Sequence, residues 1–382
     1  MMNKKTVTKI FLSILLLSFS IAASALAPVP SPPKLAAKSF LLVDFNSGLV
    51  LASKNVDKKV EPASITKMMT AYVVYKEIES GRLSMDEEVT ISKKAWKMKG
   101  SKMFIEVGKK ISIEELLKGI IIQSGNDATV ALAEHIAGSE STFADYMNQY
   151  AQGLGMMDTN FVNATGWPHK KHLTTAADLV KLATALIREF PEHYEQYKVK
   201  EYTYNGIRQY NRNKLLWRDK SVDGIKTGHT ESAGYCLVSS AQRDDMRLIA
   251  VVLGTNSEKA RSDVSQSLLS YGFRFYESSK LYSADESLNV TRVWQGATES
   301  LNLGLNDDMF ITIPRGQYKH LDAVMDVNTN IEAPINKGQQ LGLVTVKLDG
   351  KVLATQPLVA LHAIEEGSFI QRSKDQIIRL FQ

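Results

Sequence analysis

The sequence has few of the features that define several functional classes. Its 382 residues include a single cysteine, Cys236, so an intramolecular disulfide is impossible and a cysteine-rich zinc site is excluded. Neither Gly-rich phosphate-binding pattern, G-x-x-x-x-G-K-[ST] or G-x-G-x-x-G, occurs. Basic residues outnumber acidic ones only by 46 to 41, whereas a nucleic-acid-binding domain carries a concentrated basic patch. We therefore predict no nucleotide cofactor and no nucleic-acid partner.

The overall composition is that of a folded globular protein. Hydrophobic residues make up 44% of the chain and charged residues 23%, which is too apolar and too weakly charged for a disordered protein. At roughly 100–200 residues per domain, one or two domains are expected.

The first 25 residues have the pattern of a secretory signal peptide. Lys4, Lys5 and Lys9 precede an apolar stretch over residues 10–22, and Ala23-Ser24-Ala25 forms a small-x-small cleavage site. The apolar stretch is shorter than the roughly 20 residues of a spanning helix, although an uncleaved anchor is the alternative. Loss of the three lysines would lower the formal charge from +5 to +2. We therefore expect an exported protein.

The remaining chain divides into segments of different character. A spacer rich in proline over residues 26–38 precedes a segment, residues 39–283, with strands at both ends and helices between them. Residues 284–366 show short alternating apolar patterns, with a hairpin turn at Asp349-Gly350. This order predicts an α+β catalytic domain, built on a sheet with helices on its faces, followed by a small all-β domain.

The first candidate motif joins a serine to a lysine. Ser64 and Lys67 are three residues apart in Pro62-Ala63-Ser64-Ile65-Thr66-Lys67, so a helix would place both side chains on one face. A serine hydroxyl needs an adjacent base to act as a nucleophile, and a lysine whose pKa is lowered by burial or a nearby cation can be that base.

Two further motifs follow, each of which also has a structural interpretation. Ser124-Gly125-Asn126 lies before a predicted helix, where it would supply either an N-cap or a hydroxyl and an amide for catalysis. Lys226-Thr227-Gly228-His229 precedes a predicted strand. Its lysine and threonine are suited to bind a carboxylate, and Gly228 would let the backbone approach a ligand closely; the alternative is a turn with exposed charges.

The ordered set resembles the signature of the serine penicillin-recognising enzymes, S-x-x-K, S-D-N and K-T-G, with Gly125 in the place of the aspartate in the second motif. Further stretches add to the resemblance: Asn163-Ala164-Thr165-Gly166, Asn211-Arg212-Asn213, Val222-Asp223-Gly224 and Pro314-Arg315-Gly316. Residues 35–382 look like a D-alanyl-D-alanine carboxypeptidase of the penicillin-binding protein 5/6 type. The resemblance implies a β-lactamase/transpeptidase-like catalytic domain with an antiparallel sheet flanked by helices. It also implies a periplasmic enzyme that trims peptidoglycan stem pentapeptides and is acylated by β-lactams.

The family's catalytic roles transfer to matching residues. Ser64 resembles the acylated nucleophile, Lys67 its base, and Ser124 the residue that passes a proton to the leaving group. The backbone N–H groups of Ser64 and His229 would form the oxyanion hole, which requires preorganised donors.

The substrate-binding roles transfer in the same way. Asn126 looks like the contact to the substrate amide, Lys226 like the electrostatic partner of Ser124, and Thr227 like the hydroxyl that binds the carboxylate. Arg261 resembles the guanidinium for the terminal carboxylate, a task that the planar fork of arginine suits. It immediately precedes a helix that we predict over residues 262–276, with Ser262 as the N-cap.

Other functions fit less well. A class A β-lactamase shares the motifs but carries E-x-x-L-N between the second and third, a pattern not found between Asn126 and Lys226; a related D,D-endopeptidase and a non-catalytic binding protein are further alternatives. No metal site is predicted, because His169 and His172, the closest pair of candidate ligands, lie beside lysines on what reads as a solvated loop.

The C-terminal segment, residues 367–382, predicts an amphipathic helix. Phe369, Ile370, Ile377 and further apolar residues occupy one half of the helical wheel, and the segment carries a net charge of +2. It is too short and polar to span a bilayer, so we predict a helix lying on the outer face of the inner membrane, as the resemblance also implies. A helix packed back on the β domain is the alternative.

Overall fold

The computed structural model describes residues 29–379. The predicted signal peptide, residues 1–25, lies outside the described residues, as do residues 380–382. Two structured parts follow each other along the chain: an α+β part that ends with a long helix at Phe275, and an all-β part with a C-terminal helix. The predicted fold class is confirmed.

The strands of the first part are β1 (Ser39–Asp44), β2 (Val50–Lys54), β3 (Glu88–Thr90), β4 (Lys110–Ser112), β5 (Glu201–Tyr204), β6 (Ile207–Tyr210), β7 (Val222–Thr230), β8 (Gly234–Arg243) and β9 (Met246–Thr255). Five of them form an antiparallel sheet in the order β2-β1-β9-β8-β7. The pairs β3–β4 and β5–β6 are separate hairpins. Strand β7 is therefore an edge strand of the central sheet, which leaves one of its sides free of strand pairing.

The helices of the first part are α1 (Lys67–Glu79), α2 (Lys93–Lys97), α3 (Ile113–Lys118), α4 (Asn126–Ala137), α5 (Glu140–Gly153), α6 (Ala176–Glu189), α7 (Pro191–Tyr194), α8 (Leu215–Arg218) and α9 (Glu258–Phe275). Short turns Ala63–Thr66 and Glu195–Lys198 are 3₁₀-helical, and Gly119–Gln123 forms a π-helical turn after α3.

Helices cover both faces of the central sheet because its strands are apolar on both sides. Leu41 and Val43 join the main core with α1, α4 and α6, whereas Leu42 and Leu248 contact α9 at Gly272. Successive side chains of a strand point to opposite faces, and a sheet buried on both faces requires near-continuous hydrophobic strands. The prediction of an antiparallel sheet flanked by helices is thus confirmed.

The second part contains β10 (Tyr276–Tyr282), β11 (Asn289–Arg292), β12 (Ser300–Gly304), β13 (Met309–Pro314), β14 (Leu321–Val327), β15 (Gln340–Leu348) and β16 (Lys351–Ala360). A short 3₁₀ turn, Tyr318–His320, precedes β14. Five of these strands form a sheet in the order β11-β12-β16-β15-β14, and β10 pairs with β13. Both residues of the predicted Asp349-Gly350 turn have positive φ, as a tight hairpin requires. Because β10 pairs with β13, residues 276–282 are hydrogen-bonded to the β domain.

The C-terminal helix, α10 (Phe369–Arg379), docks on the β domain through its polar side. Asp375 is buried there and accepts a hydrogen bond from the backbone N–H of Gln295 at 2.6 Å. The opposite side is open: Phe369 is 78% and Ile370 79% exposed. The predicted amphipathic helix is present, and it contacts the domain through Asp375 while Phe369, Ile370 and Ile377 are exposed.

Candidate active site

The candidate nucleophile lies in the turn that leads into α1. Ser64 belongs to the 3₁₀ turn Ala63–Thr66, and Lys67 is the first residue of the helix. The preceding Ala63 has a positive φ of 49°, an uncommon conformation for a residue with a Cβ that is typical of functional sites. This turn directs the Ser64 hydroxyl to within 3.1 Å of Lys67 Nζ.

Lys67 is buried and surrounded by oxygen atoms that carry no full charge. Its Nζ lies 2.7 Å from Asn126 Oδ1 and 2.7 Å from the backbone oxygen of Thr165, in addition to Ser64 Oγ. Burial lowers the pKa of Lys67 to about 7, helped by the nearby Arg212 cation and opposed by Asp127. Desolvation is the main cause of the lowered pKa, and the contributing cation is Arg212.

The loop that carries Thr165 needs a glycine. Gly166 has a φ of +82°, and a Cβ on it would lie 1.8 Å from the backbone oxygen of Ala63. Asn163 organises the loop, since its side-chain oxygen accepts hydrogen bonds from the backbone N–H groups of Thr165, Gly166 and Trp167. The close approach of this loop to the nucleophile turn is what brings a carbonyl oxygen to Lys67.

The second motif does not cap a helix. Ser124 adopts the left-handed conformation after the π-helical turn, and Gly125 is the N-cap position of α4 without a side-chain bond. The side chain of Asn126 instead connects two residues. Its Oδ1 accepts a hydrogen bond from Lys67 Nζ, and its Nδ2 donates one to the backbone oxygen of Lys99 at 2.7 Å. Ser124 Oγ is buried and has no hydrogen-bond partner among the described residues. The N-cap interpretation is therefore wrong, and both residues line the site.

Asp127, which lies outside the three sequence motifs, holds the loop at residues 103–104 through hydrogen bonds. Its buried carboxylate accepts hydrogen bonds from the backbone N–H groups of Met103 at 2.8 Å and Phe104 at 2.9 Å. These bonds hold the loop that contains Gly100 and Ser101 beside the nucleophile. An acidic residue in the first turn of a helix is a common stabilising feature, so its position gave no distinct signal.

The third motif lies within the edge strand β7 rather than in a turn. Lys226 is only 2% exposed, and burial, together with the Lys67 and Arg212 cations, lowers its pKa. Its Nζ contacts the backbone oxygen of Thr227 at 3.3 Å. A Cβ on Gly228 would lie 2.8 Å from the backbone oxygen of Pro62, so the strand packs directly against the nucleophile turn. The alternative of exposed charges is wrong.

Arg261 reaches the same place from the first turn of α9. It is buried, donates to the backbone oxygen of Gly228 at 3.3 Å, and lies over the ring of Tyr235. Helix α9 begins at Glu258 because Ser257 caps it. Ser262 is therefore not the N-cap, and its hydroxyl bonds back to Glu258 O inside the helix.

Two adjoining cavities meet at Ser64, Ser101 and His229. The smaller, about 190 Å³, is lined further by Ser124, Arg212, Thr227, Gly228, Tyr235, Glu258 and Arg261. The larger, about 650 Å³, is lined by Gly100, Asn126, Thr165, Gly166, Trp167, Pro168, Thr230, Glu231 and Ser232. Lys67 and Lys226 lie behind their walls. The two cavities together form a groove along the free edge of β7, and Arg212, to which we had assigned no role, lines its cationic end.

The remaining candidates for metal binding or nucleophilic chemistry, among them His172 and Cys236, have contacts typical of structural residues. Within residues 29–379 no three His, Cys, Asp or Glu side chains are grouped to hold a metal ion. His172 is buried, not solvated as we expected: its Nε2 lies 2.7 Å from Thr66 Oγ1, and Val162 N–H donates to its Nδ1. Burial raises the pKa of Cys236 to about 11, which disfavours a reactive thiolate.

Comparisons with known proteins agree with this geometry. The family profile described as D-alanyl-D-alanine carboxypeptidase matches residues 26–257, and that of the penicillin-binding protein 5 C-terminal domain matches residues 276–366. The chain is 41% identical to D-alanyl-D-alanine carboxypeptidase DacC of Escherichia coli, covering 97% of this chain and 94% of that protein. It is 40% identical to DacA of Haemophilus influenzae, covering 99% and 98%.

Solved structures are similar over the same extent. Penicillin-binding protein 5 from Haemophilus influenzae superposes with a TM-score of 0.84 at 41% identity, covering 88% of this chain and 100% of that chain. Penicillin-binding protein 6B from Escherichia coli gives a TM-score of 0.74 at 35% identity, covering 87% and 98%. With both parts of the chain matched and the motif residues gathered in one groove, the protein belongs to the D-alanyl-D-alanine carboxypeptidase family.

Proposed function

We propose that this protein is a serine-type D-Ala-D-Ala carboxypeptidase that removes the terminal D-alanine from peptidoglycan stem pentapeptides through an acyl-enzyme on Ser64. The arrangement around Lys67 Nζ carries the proposal. A neutral amine has two N–H donors and one lone pair; here two carbonyl oxygens, of Asn126 and Thr165, lie at 2.7 Å and the Ser64 hydroxyl at 3.1 Å. The lone pair therefore faces the hydroxyl that must lose its proton.

In the acylation step, Ser64 Oγ attacks the carbonyl carbon of the penultimate D-alanine while its proton moves to Lys67 Nζ. The backbone N–H groups of Ser64 and His229 hold the oxyanion. The C–N bond then breaks, Ser124 donates its hydroxyl proton to the leaving nitrogen and receives the proton that Lys67 had taken, and D-alanine departs. A lysine with a pKa of about 7 is suited to this task because it is neutral in a substantial fraction of molecules near neutral pH.

The terminal carboxylate of the substrate fits the smaller, cationic cavity. Arg261, Arg212 and Thr227 line it together with one carboxylate, Glu258, and Lys226, the neighbour of Thr227 in the chain, is buried. Asn126 contacts the substrate amide. In deacylation a water molecule adds its hydroxyl to the ester carbonyl, the C–O bond to Ser64 breaks, and the remaining proton of the water goes to Ser64 Oγ as the shortened peptide is released.

β-Lactams are expected to acylate the same serine, because their strained amide and carboxylate imitate the peptide's scissile bond and C-terminus. The names of the relatives support the carboxypeptidase over a class A β-lactamase. A D,D-endopeptidase is named among more distant relatives at 33% identity over 63% of this chain, so it is the weaker alternative.

Two measurements on the protein without residues 1–25 test this function. Incubation with a peptidyl-D-Ala-D-Ala pentapeptide should yield the tetrapeptide and free D-alanine by mass spectrometry. Intact-mass analysis after benzylpenicillin should show a single adduct that Ser64→Ala lacks. An adduct on another residue, or pentapeptide left intact by a penicillin-reactive protein, would overturn the proposal. Ser80→Ala, at the end of the same helix, is the matched serine control.

We further propose that the protein is exported and held at the outer face of the inner membrane by α10. The signal-peptide pattern supports export. For attachment, Phe369, Ile370 and Ile377 face solvent while the polar side of the helix is occupied by the β domain. No helix among residues 29–379 is both long and apolar enough to cross a bilayer. A helix with an outward apolar face is suited to insert into the headgroup region.

Sedimentation with liposomes tests the attachment. The protein should sediment with vesicles containing anionic lipid, less so at high salt, and deletion of residues 368–382 should release it while penicillin acylation continues. Substitution of both Phe369 and Ile370 by Ser should weaken binding strongly, whereas Gln376→Ser, a polar exposed position, should not. Equal binding of the truncated protein would place the anchor elsewhere.

A further inference from the structure

The Thr66 hydroxyl, which lies between the nucleophile and its base in the chain, does not cap the helix that follows it. Thr66 occupies the N-cap position of α1, yet its side chain accepts no hydrogen bond from the helix, although threonine is a common capping residue. Its Oγ1 lies 2.7 Å from His172 Nε2 instead. Both residues are only 1% exposed, so each hydroxyl or ring nitrogen that lost its partner here would cost free energy.

The other ring nitrogen fixes the direction of this hydrogen bond. The backbone N–H of Val162 donates to His172 Nδ1 at 3.1 Å. Because a backbone N–H only donates, Nδ1 carries no proton, and the proton of the neutral ring is on Nε2. Thr66 Oγ1 is therefore the acceptor. Burial, together with the charges of His169 and Lys67, lowers the pKa of His172 to about 4, so the ring is neutral near neutral pH.

His172 thereby connects the nucleophile turn to the loop that runs beside it. Val162 lies near the start of this loop, and Thr165 in its middle places its backbone oxygen 2.7 Å from Lys67 Nζ. After His172 the chain pairs with the segment before the turn, where Val60 and Thr174 exchange two backbone hydrogen bonds of 2.9 Å. The imidazole is thus held on the loop side, and its Nε2–H holds the turn.

We propose that His172 is a positioning residue for acylation: through Thr66 it holds the nucleophile turn in the conformation in which Ser64 Oγ reaches Lys67 Nζ. The turn needs such support because Ala63 has a positive φ, and strained backbone persists only where its surroundings hold it. His172 is not among the described residues that line the two cavities, so it acts through its neighbour and not on the substrate. The inference rests on the proposed carboxypeptidase function.

Two substitutions of His172 separate its two hydrogen bonds. The amide nitrogen of a glutamine can take the place of Nε2, and the amide oxygen of an asparagine that of Nδ1. His172→Gln should therefore keep the bond to Thr66 and most of the acylation rate, whereas His172→Asn should keep only the bond to Val162. The rate constant of the chemical step with benzylpenicillin, measured by stopped-flow, should fall about tenfold or more in His172→Asn, since a displacement of about 1 Å can cost about 100-fold. The dissociation constant of the non-covalent complex should not change.

Substitutions of Thr66 test the same contact from the other side. Thr66→Val keeps the shape of the side chain and removes the acceptor, so it should slow the chemical step as His172→Asn does, whereas Thr66→Ser should retain most of the rate. The combined variant His172→Asn/Thr66→Val should be no slower than the slower single variant, because both changes remove one interaction. His193→Asn is the matched control: this histidine also contacts α1, where its ring stacks on Tyr75, and the variant should keep the rate.

The outcomes distinguish positioning from a general structural role. A histidine that only stabilises the fold would lower the free energy of unfolding in urea in both of its variants without separating their chemical steps. Equal rates for His172→Gln and His172→Asn, or additive losses in the combined variant, would therefore overturn the inference. If His172→Asn does not fold, equal rates for Thr66→Val and Thr66→Ser would overturn it. A wild-type protein that benzylpenicillin does not acylate would instead overturn the proposed function.

Discussion

Two groups of cations in this molecule have opposite environments. In the groove, Lys67 and Lys226 are buried against carbonyl and hydroxyl oxygens, and within residues 29–379 neither forms an ion pair with a carboxylate. On α10, Lys374 and Arg379 are each paired with a carboxylate of the β domain, at 3.5 Å and 3.1 Å. The first arrangement lowers a lysine pKa by desolvation, whereas the second places each cation beside an opposite charge on the surface.

The difference shows what a positive side chain contributes in each place. Dipolar partners satisfy the hydrogen bonds of an amine without stabilising its proton as strongly as a carboxylate would, so a buried lysine becomes available as a base. Carboxylate partners on a surface orient a helix and contribute little free energy each. Chemistry in the groove and docking on the β domain therefore rely on different partners for the same residue type.

The largest effect is expected where the cation must lose its proton. Lys67→Arg should reduce acylation by benzylpenicillin by at least about 100-fold, since an arginine remains protonated and a positioned base contributes about 10²–10⁴-fold. Lys76→Arg, in the same helix but ion-paired with Glu79 and Glu189, should retain the wild-type rate. The acylation rate can be measured by stopped-flow or by mass spectrometry of quenched samples. A Lys67→Arg enzyme that is acylated at the normal rate would refute the assignment of Lys67 as the base.

The second effect concerns the loop that brings Thr165 O to Lys67. The control is Gly155→Ala, outside this loop, which introduces a Cβ at positive φ with nothing within 4 Å. It should lower the free energy of unfolding by about 1 kcal/mol. Gly166→Ala adds a collision with the backbone of Ala63 to the same φ strain. For Gly166→Ala we expect a loss of unfolding free energy, measured in urea, at least about twice that of Gly155→Ala, together with slower acylation. Equal losses in both variants would show that the close approach is unimportant.

A third effect concerns the docking of α10. Asp375→Ala removes the acceptor of the Gln295 N–H bond and the partner of Arg292, so the helix should lose about 1–3 kcal/mol of local stability. Hydrogen exchange should become faster in residues 369–379, while penicillin acylation stays unchanged because the groove is made by other elements. Unchanged exchange would mean that other contacts hold the helix.

The smallest effect is expected from a single surface pair. Lys374→Ala breaks the contact with Glu299, in which both side chains are largely exposed. Such pairs contribute about 0–1 kcal/mol, so thermal unfolding should change by no more than a few degrees. A loss as large as that of Asp375→Ala would mean that the exposed pairs, not the buried carboxylate, hold α10 in place.

Much of the site could be predicted from the order of its three motifs, and the groove does gather the predicted residues. What the motifs could not supply was the environment of each side chain. Ser124 and Asn126 have the residue types of an N-cap, and only the left-handed Ser124 backbone and the contact to Lys99 O direct them to the site. Arg212 and Asp127 belong to the site because the fold brings them next to residues that are distant in the chain, and local sequence does not specify such contacts.

The fold was predictable where periodicity was strong and less so at element boundaries. The start of α9 was misplaced because Ser257 and Ser262 are both suitable caps, and the extended Ser257 backbone decides between them. The amphipathic pattern of α10 predicted a helix but not its orientation, because the burial of Asp375 depends on a backbone N–H some 80 residues away in the chain.

The pH dependence of acylation by benzylpenicillin tests most directly whether Lys67 acts as a neutral base. A lysine is neutral above its pKa, so the second-order rate constant should rise with pH and level off above about pH 7, where the pKa of Lys67 lies. Arg212→Met removes a nearby cation, which should favour protonated Lys67 and move the rise to higher pH. A rate constant that stays flat from about pH 5 to pH 9, or rises only near the ordinary lysine pKa of about 10.4, would contradict the account.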